Sequence, residues 1–284
     1  VLDIVEMMDL MGLDNLTYTP GNYFWKQTKF AKTSYFSKPS LLVLNKNAST
    51  QIVERSSKVE LDRVLAKGGC YYLGLPRFYH GIASRDLLER LKDKFGGKTY
   101  FPGPCPDMTI SVAIATTVDK FYFMNYPVTV TGVSSNSGAG MGVTNTHVGK
   151  IEDQPFLPKE TMDRWDPKVP RIWTAFSIYA QSIHQVFEDA GIDKHIDYTV
   201  NYAFMRVFEW YTYRKYQKPI LEKYFAENPK EKVRYKRWVA YLRLRNVIGV
   251  PVERLKAWRA GIYRVQNMTN VEQVMQYLKK STKP

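Results

Sequence analysis

One acidic residue, Asp107, follows a proline-rich corner and precedes an apolar run in GPCPDMTISVAIA, residues 103–115. Prolines restrict the backbone of this corner, so the carboxylate that follows them is held in place. A fixed carboxylate can act as a general base that takes a proton from an attacking hydroxyl group. The same position also suits a residue that caps an ordinary helix. The residues alone leave both roles open.

Small residues dominate a second stretch, SSNSGAGMG at 134–142. These residues have little to bury, so we predict a loop here. Their small size lets a backbone approach a phosphate or a sugar closely, although a plain surface linker has the same composition. The stretch lacks the lysine and the glycine spacing of phosphate-binding loops, and we assign no phosphate motif to it.

The charge of the chain points to anionic partners. The 284 residues carry a net charge of +14, and residues 151–284 hold 24 basic and 15 acidic side chains. A basic surface attracts nucleic acids, nucleotides and anionic lipids. Cys70 and Cys105 form neither a disulfide framework nor a zinc motif, and we expect reduced thiols in the cytoplasm.

Two regions with different patterns must position these residues. We predict an α/β fold over residues 1–150 and a helical, basic, aromatic-rich region over residues 151–284. Ser84 is a suitable N-cap for the helix that follows it. The predicted helices of the first region are 1–11, 48–67, 85–95 and 109–118. Residues 17–25 are predicted to form a turn and then a strand, and residues 121–132 a strand.

Basic and aromatic residues alternate in the second region, where residues 206–264 hold 16 basic and 5 acidic side chains. A helix over 232–245 is typical of one that lies on an anionic membrane surface. It is equally typical of a solvated helix packed on a core, and nucleic acid is a third alternative without a recognised motif. The residues that share its apolar face are Tyr235, Trp238, Val239 and Leu242, flanked by Arg234, Lys236, Arg237, Arg243 and Arg245.

Three motifs occur in a recognisable order: YHGIASRDLLERL (79–91), GKTYFPGPCPDMTISVAIA (97–115) and YFMNYPVTVTGVSSNSGAG (122–140). Their order resembles the second half of bacterial family 2 glycosyltransferases. The resemblance covers about residues 1–150 and extends weakly through the helical region. It implies a partial GT-A-like, Rossmann-like domain that transfers a sugar with inversion from a nucleotide-sugar donor to a glycan or lipid-linked acceptor, in surface polysaccharide synthesis.

The resemblance also implies roles for particular residues. Asp107 matches the family's catalytic base, and His147 matches a late histidine that contacts a metal. The expected substrate-binding residues are Arg77, Tyr79, His80, Ser134, Ser137 and Gly138.

One departure concerns the donor side of the site. The family holds its divalent metal, Mn or Mg, with an acidic D-x-D motif, and this sequence contains no D-x-D. The resemblance therefore implies that the nucleotide-binding half and the main metal ligands precede Val1. It also implies a cytoplasmic location peripheral to the inner membrane. The alternative function is a non-enzymatic basic module that binds nucleic acid or an anionic membrane surface.

Overall fold

The computed structural model describes residues 1–30, 37–97, 99–143, 148–154, 157, 160–259 and 261–281. These residues form a mixed α/β structure with two four-stranded sheets. The strands are β1 (Asn15–Tyr18), β2 (Gly21–Phe24), β3 (Leu41–Asn45), β4 (Ile52–Ser56), β5 (Gly81–Ala83), β6 (Lys120–Met124), β7 (Val130–Val133) and β8 (Ile262–Val265). The helices are α1 (Leu2–Leu10), α2 (Ser57–Ala66), α3 (Arg85–Lys94), α4 (Pro106–Ala115), α5 (Gly138–Val143), α6 (Glu160–Asp163), α7 (Ala175–Asp189), α8 (Tyr198–Phe208), α9 (Trp210–Glu227), α10 (Glu231–Arg259) and α11 (Val271–Ser281).

Both sheets mix parallel and antiparallel pairs. The first has the order β4-β6-β1-β5, and the second has the order β7-β2-β3-β8. The parallel pairs are β1 with β6 and β2 with β7. Only Thr19 and Pro20 separate β1 from β2, which belong to different sheets. The predicted strand after the turn is β2, and the start of the range predicted as a turn is the end of β1.

The core surrounds α4, whose residues are buried from Met108 to Ala115. Side chains of α2, α3, α7 and α8 pack in the same cluster. This cluster draws on both sides of residue 150, and β8 joins the second sheet by pairing with β3. The predicted division into two regions at residue 150 stays a prediction. Core packing and the pairing of β3 with β8 both join residues from before and after that position.

The predicted helix over 48–67 is wrong in its first part. Residues Ile52–Ser56 form β4, which pairs antiparallel with β6, and α2 begins only after it. Ser56 ends the strand and caps the helix, because its hydroxyl accepts a hydrogen bond from the Val59 amide at 3.4 Å. The helix predicted over 109–118 starts three residues earlier, since Pro106 suits the first turn of a helix.

The predicted cap of α3 is confirmed. The Ser84 hydroxyl accepts a hydrogen bond from the Leu87 amide at 3.1 Å. This bond satisfies one of the donors that every helix leaves unpaired at its N-terminus.

We expect Ser84→Ala to lower the free energy of unfolding by about 1 kcal/mol, because the Leu87 amide loses its acceptor. Urea denaturation would measure the change. Ser84→Asp is the matched control, since aspartate accepts the same bond. A loss of the same size in both variants would contradict the capping role.

Candidate active site

The start of α4 fixes the position of Asp107. Cys105 is the N-cap residue, and its amide donates to the Ser182 hydroxyl of α7 at 3.0 Å. Gly103 packs so closely that a Cβ there would lie 2.6 Å from Thr109 Oγ1. Because Cys105 is the N-cap and Pro106 is the first helical residue, Asp107 lies in the first turn and is not the N-cap. Its half-buried carboxylate is held on a rigid, tightly packed corner.

A tyrosine from a distant part of the chain contacts this carboxylate. The Tyr72 hydroxyl donates a long hydrogen bond to Asp107 Oδ2 at 3.4 Å. The Tyr72 ring also packs edge-on against Tyr179 of α7, with centroids 5.4 Å apart. Burial raises the pKa of Asp107, and the hydrogen bond from Tyr72 opposes that rise. The carboxylate thus binds a proton more tightly than an exposed aspartate does.

The turn before Tyr72 depends on α8. The Asn201 amide group donates to the Gly68 carbonyl at 2.8 Å, and a Cβ on Gly68 would lie 2.4 Å from the Asn201 backbone nitrogen. The Tyr71 ring packs edge-on against Phe204, 5.5 Å between centroids. The positive φ of Gly68 and this close approach require glycine. Helix α8 therefore supports the turn that leads to Tyr72.

Sequence reasoning did not identify Tyr72 or Tyr179 as site residues. Each lies in an apolar segment, and the contact between Tyr72 and Asp107 spans 35 positions. Tyr179 shares a helical spacing with Phe176 and Ile183, and this spacing is a signal in the sequence that points to it.

The loop that holds Arg77, Tyr79 and His80 lies beside this cluster. Arg77 is buried, and its Nη2 donates to the Tyr18 carbonyl at 2.7 Å, so it anchors the loop to β1. Tyr79 is 53% exposed; burial and then the Asp107 charge raise its pKa. Burial, followed by the Arg77 charge, lowers the pKa of His80, which favours a neutral imidazole. Of the three, Tyr79 offers an accessible surface near Asp107.

The predicted loop over 134–142 is wrong in its second half, because Gly138–Val143 forms α5. Ser137 starts this helix: its hydroxyl accepts from the Gly140 amide at 3.0 Å and donates to the Ser134 carbonyl at 2.9 Å. A Cβ on Gly140 would lie 1.4 Å from that carbonyl. The small residues thus build a compact turn and cap. The predicted substrate contacts of Ser134, Ser137 and Gly138 stay predictions.

The predicted metal contact cannot be placed. His147 lies outside the described residues. Within the described residues, no group of three or more His, Cys, Asp or Glu side chains could hold a metal ion. The described residues therefore supply no metal site of their own, and the predicted divalent metal stays a prediction.

The apolar face predicted for membrane contact packs on protein instead. Leu242 is fully buried, and Tyr235, Trp238 and Val239 pack beside it against a cluster that includes Val200. Of the open alternatives for this face, the structure shows the helix packed on a core. Across the described ranges, no helix has the length and apolar character needed to cross a bilayer.

A separate cleft of about 500 Å³ lies between α8, α9 and α10. Its basic lining residues are Arg206, Lys218 and Lys232, and Phe225 and Tyr235 supply aromatic rings. Among the described residues that line it, Glu222 carries a carboxylate, which forms an ion pair with Lys218 at 3.7 Å. This cleft can attract an anion, but it lacks a carboxylate held as Asp107 is held.

Comparisons with known proteins do not identify the chain. No family model, no curated protein and no solved structure matches it. The features that bear on function are therefore the cluster of Asp107, Tyr72 and Tyr79 and the motifs around it.

We expect Asp107→Asn to be at least as stable as the native chain at neutral pH. The pKa of Asp107 is higher in the folded state than in the unfolded chain. Its contribution to the free energy of unfolding is therefore complete below the ordinary aspartate pKa and is lost as pH rises through the folded-state pKa. Asparagine carries no charge to bury at any pH. The difference in the free energy of unfolding between Asp107→Asn and the native chain should therefore become smaller as the pH is lowered. Urea unfolding across this pH range would measure it, with Asp86→Asn, an exposed first-turn residue of α3, as the control. A variant that is clearly less stable than the native chain at neutral pH would contradict the expected cost of burying this charge.

Proposed function

We propose that this chain carries the acceptor side of an inverting, family 2-like glycosyltransferase with a GT-A-like domain, and that Asp107 is its general base. The observation that carries the proposal is the placement of one half-buried carboxylate at a rigid helix start, bonded to Tyr72. The motifs that surround Asp107 and their order support the same function.

In the proposed reaction, an acceptor hydroxyl donates a hydrogen bond to the Asp107 carboxylate. The carboxylate takes the proton while the hydroxyl oxygen forms a bond to the anomeric carbon of the donor sugar. The bond from that carbon to the nucleoside diphosphate breaks on the opposite face, and the diphosphate leaves with the electron pair. The configuration of the anomeric carbon is therefore inverted. The described residues provide no metal ligand set, and no step here depends on one.

The environment of Asp107 suits a base. Burial raises its pKa, which brings its affinity for a proton closer to that required near neutral pH. The Tyr72 hydroxyl opposes this rise and holds one carboxylate oxygen, so the other oxygen can face an acceptor. Tyr72 thus orients the Asp107 carboxylate, which is ionised and able to accept a proton at a pH above its pKa.

Aromatic side chains beside the carboxylate offer a surface for the acceptor. The Phe78 ring packs against Tyr79 at 6.2 Å and against Phe101 at 6.5 Å, measured between centroids. Ligand sites commonly combine such apolar surfaces with a few polar groups that fix orientation. We propose that Tyr79 contacts the acceptor sugar, while Arg77 and His80 shape the loop behind it.

The proposal includes a nucleotide-sugar donor, a glycan or lipid-linked acceptor and a cytoplasmic location at the inner membrane. Both cysteines are free thiols, as a reducing compartment favours. The second candidate function, a basic binding module, is favoured by the cleft that Arg206, Lys218 and Lys232 line.

We expect Asp107→Asn to reduce sugar transfer by about 100-fold or more, because the amide cannot accept the proton. The assay is transfer by the full-length protein from a radiolabelled nucleotide sugar to membrane extracts of its host. Asp86→Asn is the matched control and should transfer at the native rate, since Asp86 is exposed in the first turn of α3. Near-native transfer by Asp107→Asn would remove Asp107 as the base.

We expect Tyr72→Phe to shift the acidic limb of the pH–rate profile to higher pH. The tyrosine hydrogen bond lowers the pKa of Asp107, so its removal raises that pKa and the base is protonated over a wider range. The loss of kcat/KM should therefore be largest in acid and recover toward alkaline pH. Tyr71→Phe is the control, because the neighbouring Tyr71 ring packs on Phe204 instead. A uniform loss across the pH range would contradict this role.

A further inference from the structure

Helix α10 has a second apolar face, opposite the one that packs on α8. Its inner face holds Leu242 in the core, with Trp238 and Val239 beside it. Its outer face presents large apolar side chains to solvent, which we call the outward stripe. The outward stripe consists of Val233, Tyr241, Leu244, Val247, Ile248, Leu255 and Trp258.

The spacing of these residues places them on one side of the helix. Tyr241, Leu244 and Ile248 follow one another at intervals of three and four positions, and Leu255 lies seven positions further on. Residues at these intervals form a continuous row along an α-helix. Leu244 is 60% exposed, Val247 81% and Trp258 71%. Exposed apolar side chains grouped on one side of a helix mark an interaction site more often than scattered single residues do.

Basic residues flank the outward stripe. Residues 231–249 include six basic side chains and one acidic one. Arg234 is engaged by Asp197 and Glu231. The other five are exposed. Lys232, Lys236, Arg243 and Arg245 lie on the flanks, and Arg237 lies within the row, four positions before Tyr241. The surface that covers the outward stripe must therefore be apolar at its centre and anionic at its edges.

These two requirements decide between the possible occupants. A second copy of the chain would bring its own net positive charge to the same face, which opposes association. A nucleic acid would match the basic flanks but offers its phosphates, not an apolar surface, to Leu244 and Val247. An anionic phospholipid layer supplies both properties, since its acyl boundary accepts apolar side chains and its headgroups attract lysine and arginine.

We propose that the outward stripe of α10 docks this protein onto an anionic phospholipid bilayer, with the helix axis parallel to the membrane plane. The helix has 29 residues and is about 43 Å long, so the stripe forms an extended contact. Tyr241 and Trp258 lie within the stripe, and aromatic rings of this kind prefer the interface between headgroups and acyl chains. The docking face is the opposite of the one that periodicity alone suggested.

Co-sedimentation of the full chain with vesicles tests the proposal. We expect binding to vesicles of equal parts phosphatidylglycerol and phosphatidylcholine, and little binding to phosphatidylcholine alone. The double variant Leu244→Asp, Val247→Asp should bind about tenfold less or weaker still, because charged groups then occupy the apolar contact. Val59→Asp is the matched control, since Val59 is an exposed valine on α2 and should not affect binding. Circular dichroism would confirm that all three proteins are folded.

Two further measurements make the result decisive. Vesicles with brominated acyl chains should quench the native chain more than Trp258→Phe, because Trp258 enters the acyl boundary. No binding of the native chain to the anionic vesicles at low salt would overturn the proposal. Equal binding of the native chain and the double variant would overturn it as well. So would a dimeric mass by light scattering for the native chain and a monomeric mass for the double variant. Retention on DNA with no retention on vesicles would instead assign the basic flanks to nucleic acid.

Discussion

From Met108 to Ala115, helix α4 carries apolar or small side chains on every side, so water must be excluded from the whole of this segment. This requirement brings together elements that are far apart in sequence. Leu87 and Leu91 of α3 cover it from the first half of the chain, while Ile183 and Val186 of α7 belong to the second. Helices α7 and α8 pack in the same cluster, so both halves of the chain enclose one central helix.

The candidate base is a consequence of that enclosure. The corner before α4 must turn within a packed environment, where Gly103 meets Thr109 and the Cys105 amide bonds to Ser182. The carboxylate that follows cannot relax toward water, so burial raises its pKa. Tyr72 limits the cost of the charge without cancelling it. A less buried aspartate would be easier to ionise but would be a weaker base, and a fully buried one would stay protonated.

Local signals in the sequence predicted much of this structure, because they depend on neighbours in the chain. The Ser84 cap, the apolar face of α3 and the proline corner before Asp107 are of this kind. The failures depend on distant contacts. Strand β4 exists because β6 pairs with it, and its exposed residues gave no strand alternation. Tyr72 contacts Asp107 in a part of the fold that α7 and α8 pack against, and no spacing along the chain encodes these contacts. The spacing of apolar residues indicates apolar faces on α10, but it does not indicate which face packs on the core.

The two faces of α10 connect the proposed docking surface to the candidate base. The inner face packs on α8, and Asn201 of α8 holds the Gly68 turn that leads to Tyr72 and Asp107. Each link is a close packing or a hydrogen bond within folded elements, so a bilayer bound at the outward stripe would hold the site in one orientation. A fixed orientation gives little advantage with a freely diffusing acceptor. It does help with an acceptor confined to the same surface, because the search for the base is then restricted to two dimensions. Between a soluble glycan and a lipid-linked acceptor, this arrangement therefore favours the lipid-linked one.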